Sequence, residues 1–237
     1  MRYQIIAEAY RDLEAATARL ALIDRLASLV QETPEGLLPT VALLCQGQIA
    51  PDFAGVELGL NERLAARAVA TAVEVPPEQV LATARETGDL GLTAERLLGE
   101  LDPDRAATLE VQVVFEGLHQ IAAAEGTGSQ GRKLAGLVGL LQQATPLEAR
   151  YLVRTCTGSL RLGIGTATIL DALAEVHAGG RPEHRIGAVD QRRDLLELLG
   201  TDLVAHRHSP RDRGSILLLA PRVHLAPTPS PADRRSP

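Results

Sequence analysis

The chain is 237 residues long, 45% hydrophobic and 23% charged, enough length and apolar content for a sizeable buried core and too apolar for a disordered chain. Aromatic residues make up only 2%, which excludes a base-stacking platform for RNA or single strands as the main binding mode. The net charge of −6 is uneven: residues 1–125 hold 20 acids against 9 basic residues, 126–180 hold 5 basic against 3 acidic, and 181–237 hold 10 basic against 7. The acidic average therefore hides a later segment with a basic bias, and local charge governs binding to polyanions.

In chain order, the opening MRYQIIAEAYRDLEAATARL interleaves acids with apolar residues and lacks the continuous apolar core of a signal peptide. Ile6, Ala9, Tyr10 and Leu13, then Leu20, Ile23, Leu26, Ala27 and Val30, follow a helical stripe. The same spacing recurs at Leu64, Ala68 and Ala72 and at Val111, Val114, Phe115, Leu118, Ile121 and Ala122. Thr33-Pro34, Pro51-Asp52, Val75-Pro76-Pro77, Thr87-Gly88-Asp89, Asp102-Pro103 and Thr145-Pro146 separate the stripes. The Val-rich run Leu109–Phe115 reads as strand or helix, and the interleaved Glu110, Glu116 and His119 favour helix. The pattern predicts an all-α domain over residues 1–180. No apolar run is long enough to span a membrane, and Cys45 and Cys156 have no metal-ligand spacing, so a cytoplasmic chain with free thiols and no metal site is expected.

The two halves of the domain resemble one another. LASLVQETPEGLLPTVALLCQG (26–47) and LVGLLQQATPLEARYLVRTCTG (137–158) share a Thr-Pro pair and, with one gap, a terminal Cys-x-Gly. Leu58-Gly59-Leu60 then matches Leu162-Gly163-Ile164, each ahead of a helix. This predicts two pseudo-repeated halves, with the cysteines buried, equivalent and far apart. Residues 181–237 differ in character: 205–237 alone holds 6 Pro, 6 Arg and 3 His (His206, His208, His224) without a helical stripe. This composition predicts a linker remnant and a poorly structured tail, either a natural extension or the product of out-of-frame translation.

Two loops carry the chemistry. In Glu125-Gly126-Thr127-Gly128-Ser129-Gln130-Gly131-Arg132-Lys133, glycines permit close backbone approach, Ser129 is placed to cap the next helix, and Arg132 and Lys133 add charge at a helix N-terminus. Gly126 and Gly131 have the spacing of a nucleotide-binding P-loop. Arg132 and Lys133 stand where Lys and Ser/Thr belong, however, and a helix precedes the loop instead of a strand. The second loop, Arg154 to Thr166, again joins glycines (Gly158, Gly163, Gly165), hydroxyls and the arginines Arg154 and Arg161 at a helix start, with Thr166 as expected cap. A plain helix–helix connection accounts for the same residues. His119 reads as a satisfied helix residue and Asp102/Asp104 as helix-start acids, and no triad or metal motif offers covalent chemistry.

YLVRTCTGSLRLGIGTATILDALAEV, GTGSQGRKLAGLVGLL and the opening YQIIAEAYRDLEAATARLALIDRLASLV resemble the N-terminal DNA-binding domain of ATP-dependent DNA ligases, over roughly residues 1–178. The resemblance implies an all-helical module of DNA repair, replication and recombination that grips nicked duplex DNA by minor-groove phosphate contacts. It carries over to Gly128, Ser129, Arg132, Lys133, Arg161, Gly163, Gly165 and Thr166, with Arg154 added from the charge of the second loop. The family commonly has Lys where this chain has Gly131, which implies a weaker first loop. ATP and magnesium are implied only for the complete family enzyme. Its Lys-x-Asp-Gly nucleophile has no counterpart here: the one lysine, Lys133, is followed by Leu134, Ala135 and Gly136. Arginine cannot substitute for an amine nucleophile. The sequence thus predicts a monomeric duplex-DNA-binding module, inactive alone and without a cofactor of its own. Arg132, Lys133 and Arg161 come from the second half, and Arg19 and Arg25 are offered by the first. The alternative is a helical-repeat scaffold for protein partners.

Overall fold

The computed structural model describes residues 1–51 and 54–177; the expected tail of 181–237, with His206, His208 and His224, lies outside them. The described chain is all-α, in ten helices: α1 (Tyr3–Ala15), α2 (Arg19–Glu32), α3 (Leu38–Cys45), α4 (Glu62–Ala72), α5 (Pro77–Thr87), α6 (Leu90–Leu101), α7 (Val111–Ala122), α8 (Ser129–Leu141), α9 (Pro146–Cys156) and α10 (Thr166–His177). A 3-10 turn, Glu35–Leu37, leads into α3.

Local chemistry sets the boundaries. Asn61 and Asp89 accept from the amides of Leu64 (2.9 Å) and Leu92 (2.7 Å) to cap α4 and α6. Thr145 and Glu148 form a reciprocal capping box at α9. Gly88, at φ +72°, ends α5 in the left-handed conformation that side chains disfavour. Asp102 and Asp104 do not start a helix: Asp102 closes α6 and pairs with Arg105 at 3.2 Å. Arg105 in turn donates to the carbonyls of Leu141, Gln142 and Ala144 at the end of α8. The Leu109–Phe115 run begins extended, because the amides of Tyr3 and Val111 bond the carbonyls of Leu109 and Met1 around an Arg2–Glu110 bridge; α7 starts only at Val111.

One core holds the helices together. Its centre is Tyr3, Tyr10 and Tyr151, all buried, with the rings of Tyr10 and Tyr151 edge to face at 5.2 Å. The scarce aromatics are therefore structural: among the described residues no Tyr or Phe ring is exposed. Cys45 and Cys156 are free and buried at the ends of α3 and α9, and desolvation pushes both thiols up to about 12. They are equivalent but not remote, since both lie in the surroundings of the Tyr3 phenol.

The halves α2–α3–α4 and α8–α9–α10 are exchanged reciprocally. α4 packs on α8, the first helix of the other half, and α10 packs on α2. The matched landmarks adopt matched backbones: Gly47 and Gly158 have φ of +71° and +67°, and Gly59 and Gly163 have +62° and +69°. Left-handed φ at both pairs is a physical reason for glycine there.

Glu148 is fully buried, its Oε2 accepting from the Thr145 amide at 2.7 Å while Oε1 has no partner. Burial raises its carboxyl above the ordinary range, against the opposing pull of the Thr145 backbone and hydroxyl, the Gln4 amide and Arg2. For a raised acid the stabilising contribution is complete below the ordinary carboxylate range and is lost as pH rises through the raised value. Glu148→Gln keeps a capping acceptor and never charges. Its Tm relative to the parent will therefore climb between pH 4 and pH 8; a difference independent of pH would contradict this assignment.

Candidate nucleic-acid interface

The first glycine loop turns on Gly128, whose φ of +78° places it at the N-cap of α8. Ser129 is consequently the first helical residue, not the cap; its amide donates to the Gly126 carbonyl at 3.1 Å, and no side chain caps the helix. The start of α8 thus presents its first-turn amides and the positive end of its dipole toward an external acceptor. Arg132 folds back over the loop, donating from Nη1 to the Thr127 carbonyl (3.1 Å) and from Nη2 to that of Glu125 (2.6 Å). These acceptors orient the guanidinium without neutralising it. Lys133 reaches the other half of the molecule: its Nζ donates to the Leu58 carbonyl at 2.8 Å and sits 2.6 Å from where a Gly59 Cβ would stand.

In the second loop Arg161, Gly163 and Gly165 are exposed, and Arg161 has no acidic partner among the described residues. Thr166 opens α10, but its hydroxyl donates to Oε1 of Gln46 at 3.1 Å instead of capping the helix. Leu160 packs on Gly47, its Cβ 3.6 Å from the position a Gly47 Cβ would take. The two matched turns are therefore neighbours. A cleft of about 330 Å³ lies between them, with Gly47, Ile49, Leu58, Leu60, Cys156 and Gly158 among its lining residues.

Arg154 does not join this surface. It is 8% exposed, with Nε 3.1 Å from Asp89 and Nη1 bound to Glu14. Its neighbour Arg150 bonds Glu14 at 2.6 Å and Glu95 at 3.2 Å, and Tyr151 also donates to Glu14. Arg154 thus joins α9 to α1 and the start of α6, and the charge expected for a phosphate is neutralised inside the fold. Arg19 and Arg25 are likewise paired, with Asp171 at 2.7 Å and Asp12 at 3.7 Å.

A family model described as DNA ligase N terminus matches residues 2–174, nearly all of the described fold. The chain belongs to the DNA ligase N-terminal family. It is thus homologous to the N-terminal DNA-binding domain of ATP-dependent ligases. Similar proteins include a "Probable DNA ligase" of Aquifex aeolicus, 40% identical over 200 residues, covering 84% of this chain and 34% of the relative. "DNA ligase 2" of Thermofilum pendens is 44% identical over 188 residues, covering 76% of this chain and 31% of the relative. The "DNA ligase" of Aeropyrum pernix is 37% identical over 250 aligned residues, 99% of this chain and 40% of the relative. The chain thus spans about a third of the length of the ligases it matches.

In this ligase domain, reasoning from sequence located both glycine loops but missed the turn at Leu58–Gly59 as the receiver of Lys133. Its signal was the match to Leu162-Gly163, which marked the turn as structural. Glu14 and Asp89, the partners of Arg154, gave no local signal at all. Among the described residues no helix is long and apolar enough to cross a membrane, and no His, Cys, Asp or Glu group is placed to hold a metal.

Proposed function

We propose that this ligase domain grips duplex DNA by its phosphates across the minor groove, spanning a nick without reading sequence. The observation that carries this reading is the reciprocal packing of the two halves. It brings the matched glycine turns side by side, with Arg132, Lys133 and Arg161 left without acid partners among the described residues. Two similar turns suit two antiparallel backbones, and backbone amides at α8 with neighbouring cations suit phosphate oxygens. Gly128, Gly163 and Gly165 let the backbone approach closely, and Ser129 and Thr166 stand at the helix starts. The absence of an exposed ring among the described residues fits contact with phosphate and sugar in place of base stacking.

The test is binding of the whole chain to a nicked duplex, followed by fluorescence anisotropy across a salt series. The parent chain will bind with a steep negative log–log salt slope, each neutralised phosphate adding about 0.9. The double change Arg132→Glu and Arg161→Glu will abolish that binding while the far-UV circular dichroism stays helical. Affinity within about twofold of the parent would refute the site, on the same counterion argument. An equal affinity for intact and nicked duplex would remove the nick from the proposal.

A further inference from the structure

The distribution of neutralised and unneutralised cations divides the two pseudo-equivalent seams. At the α2/α10 seam, Arg19 pairs with Asp171. The neighbouring Arg25 pairs with Asp12. At the α4/α8 seam no such pairing occurs among the described residues. Arg63 and Arg67 on α4 are exposed and have no acid partner among them, and there Arg132 and Lys133 on α8 bond only carbonyl oxygens.

The matched turns make the contrast specific. If Leu58-Gly59 corresponds to Leu162-Gly163, Arg67 of α4 corresponds to Asp171 of α10, and Arg63 to Ala167. One half carries a cation where the other carries the acid that neutralises its neighbour. The α4 arrangement is also mildly unfavourable for the free protein. Arg63 and Arg67 are like charges one turn apart on the same exposed face. Arg63 additionally lies in the first turn, at the positive end of the helix dipole. The buried face of α4 (Leu64, Ala65, Ala68, Val69, Ala72) supplies the packing that tolerates this. Elsewhere most described arginines face a carboxylate; Arg85 on α5 and Arg161 in the second loop are the others that do not.

We infer that the phosphate-binding surface is one-sided: it belongs to the packed pair α4/α8, where Arg63 and Arg67 add their charge to that of Arg132 and Lys133, and it excludes the α2/α10 seam. The first half of the repeat contributes its charge through its third helix, in place of Arg19 and Arg25 on its first. The ligand is the phosphate backbone of duplex DNA, so the inference rests on the function proposed above.

The experiment compares Arg63→Gln/Arg67→Gln with Arg19→Gln/Arg25→Gln in the whole chain, on the same nicked duplex and salt series. All four residues are exposed, and matching thermal melts establish that the variants are folded. The α4 pair will lower affinity at least about tenfold near 0.1 M salt and reduce the salt slope by about 1.8, two contacts' worth. The α2 pair will leave both unchanged. If the parent binds and Arg132→Glu/Arg161→Glu abolishes binding, but the α4 pair has no effect or the α2 pair has the larger one, the one-sided surface is wrong and the phosphate-binding function stands. If the parent shows no salt-dependent binding, both fall together.

Discussion

Replacing Arg154 with alanine will lower the stability of the domain by about 3–5 kcal/mol, the scale for removing one partner from a buried ion pair. For a domain of this size that is a fall of roughly 10 °C in Tm. The guanidinium lies between Glu14 of α1 and Asp89 at the start of α6, and its side chain is 10% exposed. Removing it leaves two partly buried carboxylates facing each other's field. Arg150 cannot take over, because it already bridges Glu14 and Glu95. Asp89 has a second duty as the cap that accepts from the Leu92 amide, so the loss reaches the first turn of α6. Arg154→Lys will recover only part of the stability, since an ammonium lacks the planar fork that reaches both acids. The same truncation at Arg11, whose ion pair with Asp12 is exposed, will change the melt little. Thermal and denaturant melts of these variants check the ranking; an Arg154→Ala protein within about 1 kcal/mol of its parent would mean that the network contributes nothing net.

This case also marks where the sequence stops being legible. The helical stripes, the breakers and the repeat are local or periodic signals, and the fold follows them closely from Tyr3 to His177. The glycine loops were equally readable, because Gly128 and Gly163 stand where the backbone must take a positive φ. What could not be read is which arginine faces which carboxylate. Arg154 meets Glu14 across 140 positions and Asp89 across 65, separations that carry no periodic trace. From sequence, Arg154 and Arg161 are two arginines in one loop region. In the structure one ends a buried helix and the other stands in solvent. Arg19 and Arg63 are indistinguishable by type and by place at a helix start, and only the acid opposite Arg19 separates them.

Gly91→Ala will destabilise the domain by about 3 kcal/mol, although the change is one methyl group and alanine gains about 1 kcal/mol of helix propensity over glycine. α6 approaches α9 closely here. A Cβ on Gly91 would stand 2.6 Å from the Arg150 carbonyl oxygen, 2.8 Å from Cγ of Arg154 and 3.0 Å from Oδ1 of Asp89. A flexible side chain can yield to such an approach; a backbone carbonyl inside α9 yields only if the helix moves. Moving α9 stretches the Arg154–Asp89 contact, so the methyl group acts partly through the ion-pair network. The double variant Gly91→Ala/Arg154→Ala will therefore lose less than the sum of the two single losses, by about 1 kcal/mol or more, as expected for residues in contact. Additive losses would show that Gly91 and Arg154 act independently and that the close approach is relieved elsewhere. Far below its Tm the Gly91→Ala protein will keep the parent salt slope on DNA, because Arg63, Arg67, Arg132 and Arg161 all lie outside the joint it disturbs. A reduced slope in the folded variant would instead place the α6–α9 joint in control of the binding surface.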